Sequence, residues 1–394
     1  MTSEKQYFVE IGSFQSNKHN QLVCGDTILT RKVAEENRFV AVLSDGLGSG
    51  VKANVLSSMT ASMGLNFIVR REPINRTAHA IMNTLPVDSV RNISYSTFTI
   101  ADLYNDGDIS LVEYDNPKAF ILRNGQTVEI DREKIDLGNI SKRPLYSSHF
   151  TMQKGDRLIV VSDGVTQSGM GTKQMPFGWS EKGLMKFIEG VVADKPNVSA
   201  RDLARMIVKK SEMNDIGKLT DDTSCMVIYL REPRRLLLCT GPPFTEVKDK
   251  YLAEVVKKFQ GKKIVCGGTT SNILSRELGR EVHVDLKTVT KGLPPVSTME
   301  GVDLMTEGIM TMGALMDFLE EGIPNDLSGK GPAFEMFKLL LESDWIYFLV
   351  GTKINIAHQD PSLPVELEIR RNVVKRIAKL LEEKFLKEIK MEFI

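Results

Sequence analysis

The chain has 394 residues, 51 basic and 51 acidic, so its formal charge is zero, and 42% of it is hydrophobic. That balance excludes a general attraction to nucleic acid or to an anionic membrane surface, and the length leaves room for two or three domains. No apolar run approaches the ~18 residues that span a bilayer, and the opening MTSEKQYFVEIGSFQSNKHNQ lacks the charged-then-apolar layout of a leader. Cysteines 24, 225, 239 and 266 form no CxxC pair and lie in or beside apolar runs. They read as buried thiols of a reduced, cytoplasmic protein.

In chain order, YFVEIGSFQ, FVAVLS, YSTFTIADLY, DISLVEYD, KAFILRNG, DRLIVVSDG and TSCMVIYLRE read as short strands. NDGD, RNGQ and KGDR supply turns between them, which predicts antiparallel sheet with hairpins. Helical stretches are expected at 51–70, with Val55, Met59, Met63 and Phe67 in the core, and at 75–87 and 199–213, the last capped by Ser199. Many antiparallel strands with a few segregated helices predict an α+β layered sandwich for residues 1–231. The basic turn REPRR (231–235) marks a change of pattern. Beyond it LLLCTG, KKIVCGG, EVHVDL and WIYFLVG alternate with helical segments, ending in the long amphipathic 365–389. Alternation predicts an α/β domain of parallel βαβ units over 236–394.

The chemistry concentrates in acids beside apolar runs: Asp26 in LVCGDTIL, Asp45 in VLSDGLGSG, Asp163 in LIVVSDGV, and Asp221 with Asp222 in LTDDTSCMVIYL. A lone Asp-Gly after a strand reads as a hairpin turn, and NDGD at 105–108 is read that way. Two VxSDG strings, with a GD upstream and a DD downstream, argue instead for carboxylates gathered at one edge of a sandwich. Such acids repel unless they are protonated or neutralised by cations. With no His or Cys among them the donors are hard oxygens, which suit magnesium or manganese rather than zinc or copper. Gly46 could add its backbone carbonyl and leave the approach free of a Cβ.

The ordered set GD, LSDGLGSG, KGDRLIVVSDGV, FG (Phe177, Gly178) and DDTSCMVIYL resembles the metal-dependent protein phosphatases of the type 2C superfamily, in their bacterial sporulation stage II E branch, over residues 4–231. The resemblance implies a four-layer α-β-β-α sandwich and a phosphoserine/phosphothreonine protein phosphatase using two manganese or magnesium ions. It implies that Asp26 holds one ion or its water and that Asp45 bridges both. It further implies that the Gly46 carbonyl completes a shell, that Asp163 and Asp221 hold the second ion, and that Asp222 stands at the remaining position. Asp26 and Asp45 are the expected catalytic residues. Eukaryotic relatives carry a histidine where Leu47 stands and an arginine near Gln21. The phosphate-binding group and the general acid are therefore unassigned. The substrate implied is a phosphorylated regulator of the anti-sigma-antagonist type. Gly48 and Gly50 would form the hinge of a helix that switches metal affinity. Hydrolysis of phosphorylated small molecules and silent phosphoprotein binding are the alternatives.

For 236–394 the same resemblance implies a regulatory module that takes a small-molecule ligand or a partner, and a homodimer stays open. In KIVCGGTTSNILSRELG the glycines and threonines read as a tight turn with Thr269 or Thr270 as N-cap. Alternatively, its amides could cradle an anion, although neither GxGxxG nor GxxxxGKS is present. GVDLMTEG, with Asp303 and Glu307, reads as a loop, and GTKIN could line the same edge.

Overall fold

A computed structural model describes residues 7–84, 96–135, 143–285, 296–321, 331–353, 363–385 and 387–394. The chain divides into two compact units, Met1–Glu232 and Pro233–Ile394.

The first unit's described strands are β1 (Phe8–Ser16), β2 (Thr27–Val33), β3 (Arg38–Gly46), β4 (Ser96–Tyr104), β5 (Asp108–Tyr114), β6 (Phe120–Arg123), β7 (Gln126–Val128), β8 (Glu133–Ile135), β9 (Leu145–Thr151), β10 (Arg157–Val161) and β11 (Thr223–Arg231). Its helices are α1 (Gly50–Val69), α2 (Ile74–Thr84), the single turn α3 (Asp163–Thr166), α4 (Ser180–Asp194) and α5 (Ala200–Asn214). The strands form two sheets, ordered β1-β11-β10-β6-β7 and β2-β3-β4-β5-β9-β8. Ala41, Leu43 and Leu111 of the second sheet meet Leu158, Val160 and Ile228 of the first in the core between them. The outer face of the first sheet packs under α4 and α5, and that of the second under α1 and α2. This is the expected four-layer α-β-β-α sandwich.

Local chemistry accounts for the elements. At NDGD the β4–β5 hairpin turns on Gly107, whose φ of 102° suits glycine, while the Asp106 carboxylate accepts the Asp108 N–H. Ser199 caps α5 by accepting the Asp202 N–H, as expected. Helix α1 departs from expectation. Val55 and Met59 are exposed, and the buried face runs through Ala53, Leu56, Thr60, Ala61, Gly64, Leu65 and Ile68. Small residues face the sheet because the helix lies close: a Cβ on Gly64 would sit 2.9 Å from Ile100 Cδ1. Of the four larger side chains expected in the core, Val55 and Met59 are therefore outside it, while Met63 and Phe67 are half-buried and Met63 packs on the core. Helix α4 was not foreseen, although Leu184, Ile188 and Val192 recur at four-residue spacing and are buried.

The second unit contains β12 (Arg235–Thr240), α6 (Val247–Lys258), β13 (Lys262–Cys266), α7 (Gly268–Leu278), β14 (His283–Asp285), β15 (Val296–Met299), β16 (Val302–Thr306), α8 (Ile309–Glu321), α9 (Pro332–Glu342), β17 (Trp345–Val350), α10 (Leu363–Phe385) and β18 (Glu388–Phe393). The sheet order is β14-β15-β16-β13-β12-β17-β18. From β16 to β18 the strands run parallel, and β14 and β15 add an antiparallel edge. Helices α6 and α7 cover one face, and α8, α9 and α10 the other.

Two readings need correction. GVDLMTEG is strand β16 rather than loop, with Asp303 paired to Lys262 at the start of the neighbouring strand. The helix expected over 365–389 stops at Phe385, and its last residues open strand β18, whose Ile389 and Met391 pack on the core. Residues 85–87 of the second expected helix, Leu286 of EVHVDL, and Ile354 and Asn355 of GTKIN lie outside the described residues. Among the described residues no helix is long and apolar enough to cross a membrane.

Candidate metal centre

Strand register brings the acids to one end of the sandwich. In the second sheet Thr27 pairs with Ser44, so Asp26 leaves β2 beside Asp45 at the end of β3. In the first sheet Val161 pairs with Cys225, so Asp163, following β10, and Asp221 and Asp222, preceding β11, emerge at adjacent strand ends. The two turns touch: a Cβ on Gly164 would lie 2.2 Å from the Asp222 carbonyl oxygen. The sheets are tied together at this edge by Ser224, whose hydroxyl donates to Asp26 Oδ2 at 2.6 Å. Gln15 Nε2 donates to Ser224 Oγ at 3.0 Å and to the Asp26 carbonyl at 3.2 Å. The Ser224 N–H donates to Ser162 Oγ at 2.9 Å.

The electrostatics follow from this crowding. The Asp26 and Asp45 carboxyls interact directly, each shifting the other's titration. Burial pushes Asp26 up to about 6. Burial also raises Asp45 well above the usual carboxylate range, and the charges of Asp26, Asp163 and Asp221 raise it further. Asp221 is raised by burial and then by Asp163, with Lys18 opposing; the Lys18 ammonium lies 4.0 Å from Asp221 Oδ1. Asp222 Oδ1 accepts the Lys18 N–H at 3.0 Å, while its Oδ2 is buried with no hydrogen-bond partner. Gln167 holds Asp163 Oδ2 at 2.9 Å.

Gly46 is set by packing. A Cβ there would fall 2.2 Å from the Ala53 carbonyl oxygen of α1 and 2.9 Å from that of Gly25. Gly48 and Gly50 have φ of 104° and 72°, and a Cβ on Gly50 would meet Gln21 Oε1 at 2.6 Å. Phe177 is exposed, while Gly178, at φ 81°, lies against the end of α3, where a Cβ would meet the Thr166 carbonyl oxygen at 2.7 Å.

All five acids thus share one mutually repelling neighbourhood built from both sheets. Among the described residues, however, no three His, Cys, Asp or Glu side chains are disposed as the shell of one ion. The donor chemistry fits a hard divalent cation: carboxylates only, protons held against repulsion, and a buried Asp222 oxygen left without a partner. Gln15, Lys18, Ser162 and Ser224 were missed in the sequence. Their signal was position, since Ser162 and Ser224 sit within two residues of flagged acids in SDG and DDTS.

A protein-family model described as Stage II sporulation protein E (SpoIIE) matches residues 35–231. The chain belongs to the SpoIIE family. The match contains Asp45, Gly46, Asp163, Asp221 and Asp222 and begins after Asp26. Stage II sporulation protein E of Bacillus subtilis (strain 168) is 22% identical over 233 residues, 58% of this chain and 26% of that protein. The Priestia megaterium protein of the same name is 21% identical over 228 residues, 58% of this chain and 37% of its own length. The chain therefore spans about a quarter to a third of the SpoIIE relatives' length. The solved phosphatase domain of SpoIIE from Bacillus subtilis is 18% identical, with a TM-score of 0.45 over 58% of this chain and 94% of that one.

Proposed function

We propose that the first unit is a metal-dependent serine/threonine protein phosphatase with Asp26, Asp45, Asp163, Asp221, Asp222 and the Gly46 carbonyl as ligands of manganese or magnesium. The observation that carries this reading is the convergence of five carboxylates from two sheets, with Asp45 raised by burial and then by Asp26, Asp163 and Asp221. Two divalent ions bound there would supply an activated water and neutralise charge on the phosphoryl oxygens.

The chain's own residues prepare that chemistry. Ser224 and Gln15 fix the orientation of Asp26. Asp45 and Asp26, both raised, would ionise fully when cations supply the neutralising charge. Lys18 sets a positive charge at the Asp221 rim, where an incoming phosphoryl group would pass. No covalent intermediate is required, in keeping with a site that offers no cysteine nucleophile: Cys24 is pushed up to about 12 by burial. The substrate class is a phosphoserine or phosphothreonine protein of the anti-sigma-antagonist type, with the second unit regulating turnover.

Turnover of p-nitrophenyl phosphate and of a phosphoserine peptide, with manganese, with chelator, and in Asp45→Asn and Asp163→Asn, tests the proposal. Metal-dependent hydrolysis of both substrates, abolished in both variants, is expected. Hydrolysis indifferent to metal and to both substitutions overturns it, and activity on small phosphates alone would move the substrate away from proteins.

A further inference from the structure

In the second unit three adjacent parallel strands, β12, β13 and β16, end at one edge, and near the end of each stands a buried threonine hydroxyl without a hydrogen-bond partner: Thr240, Thr270 and Thr311. Thr240 closes β12. Thr270 and Thr311 occupy the same place in α7 and α8, three residues after a glycine, Gly267 or Gly308, that leads each helix. Neither Thr269 nor Thr270 is the N-cap; that position is Gly267, at φ 108°, with no side-chain cap. The two glycines touch, since a Cβ on Gly308 would meet Gly267 Cα at 3.6 Å. Thr270 Oγ1 points to that seam, lying 3.6 Å from the place a Cβ on Gly267 would occupy.

Two helix N-termini side by side direct their positive dipole ends to one spot, although the lead amides are already bonded, the Gly267 N–H to the Thr306 carbonyl at 2.9 Å and the Gly308 N–H to the Glu307 carboxylate at 3.1 Å. A buried hydroxyl left unpaired is unfavourable, so three at one strand edge mark a place suited to receive acceptors from elsewhere.

We propose that this edge binds a phosphorylated small molecule, with the phosphate at the Gly267–Gly308 seam, held by the first turns of α7 and α8 and by the Thr270 hydroxyl. This is independent of the chemistry of the first unit.

The test is titration calorimetry of the full chain in chelator, which removes divalent cations from the first unit, with inorganic phosphate, AMP and ADP as probes. Wild type should bind at least one of them. Thr270→Val, which keeps the side-chain shape, should weaken binding roughly tenfold, the loss expected for one hydrogen bond, while the unliganded protein melts no earlier than wild type. Gly308→Val, whose added atoms enter the seam, should abolish binding, and circular dichroism checks its fold. Absence of binding by all three probes overturns the proposal. So does binding that survives both substitutions, or that is lost in Asp45→Asn but not in Thr270→Val, which would place the phosphate in the first unit.

Discussion

Ser224, at the start of β11 in one sheet, donates a 2.6 Å hydrogen bond to Asp26, which enters β2 of the other. That bond crosses between the sheets at the one edge where all five acids gather. Ser224→Ala would leave Asp26 Oδ2 buried without its donor, at a cost of about 1–3 kcal/mol. Urea unfolding in chelator should show that loss. Phosphopeptide turnover at saturating manganese should fall about tenfold or more, because Asp26 is then free to rotate.

Without divalent cations the acids oppose folding. Asp26 and Asp45 both titrate above their unfolded values, so between about pH 4 and about pH 6 the folded state binds more protons than the unfolded chain. Stability therefore falls as pH rises through that window. Melting in chelator should give a higher Tm near pH 5 than near pH 7, provided the first unit is followed by its own spectroscopic signal. A Tm that rises across this interval would contradict the raised titration of Asp26 and Asp45.

Asp45→Asn removes the most strongly opposed of these charges. In chelator at pH 7 the variant should be more stable than wild type, since it removes a buried carboxyl whose ionisation the folded state opposes. Manganese should raise the wild-type Tm by mass action and leave that of Asp45→Asn nearly unchanged. Differential scanning fluorimetry with and without manganese reads both effects.

Gly46 and Gly48 should respond differently to alanine. At Gly46 the new Cβ would lie 2.2 Å from the Ala53 carbonyl oxygen, a backbone atom that can move only if α1 moves. Gly46→Ala should cost about 3 kcal/mol or more, or prevent folding, in line with severe overpacking. At Gly48 the space is open and only the φ of 104° opposes a side chain. Gly48→Ala should cost about 1–2 kcal/mol and leave the fold intact. Expression level and urea midpoints distinguish the two.

Arg38 anchors the far end of the same helix. Its guanidinium is buried, donates to the carbonyls of Ile68 and Val69 at the end of α1, and pairs with Asp102 at 3.2 Å. Arg38→Ala should destabilise the first unit by about 3–5 kcal/mol, and lysine should recover little, because one ammonium cannot serve both carbonyls and the carboxylate. Thermal melts of the two variants make the comparison.

Much of the layered architecture and the parallel second sheet was legible, because buried strands such as FVAVL and LIVV carry continuous apolar runs, and Gly107 and Ser199 mark their turn and cap with local chemistry. The acids Asp26, Asp45, Asp163, Asp221 and Asp222 stood out as charges beside those runs. The contacts around them did not, since the Ser224–Asp26 bond joins residues 198 apart in sequence, and nothing local in DDTSC announces it. Reading the core face of α1 from its larger side chains failed where Ala53, Ala61 and Gly64 let the helix approach the sheet. Strand β18 was hidden because its polar alternation, EIKMEF, continues the amphipathic pattern of α10.

The pairing of Thr27 with Ser44 has a consequence for how this family can change length. Side chains alternate faces along β3 and both faces are buried, so one residue inserted or deleted between Arg38 and Ser44 would turn Asp45 away from Asp26 and exchange Ala41 and Leu43, which face the other sheet, with Val40 and Val42, which face the helices. The hairpin tip at Asn105–Gly107 carries no such phase relation to the acids. Tolerated length variation in this unit should therefore collect at hairpin tips and vanish within β3, so that indel scanning would trace the outline of the candidate metal centre without any measurement of activity.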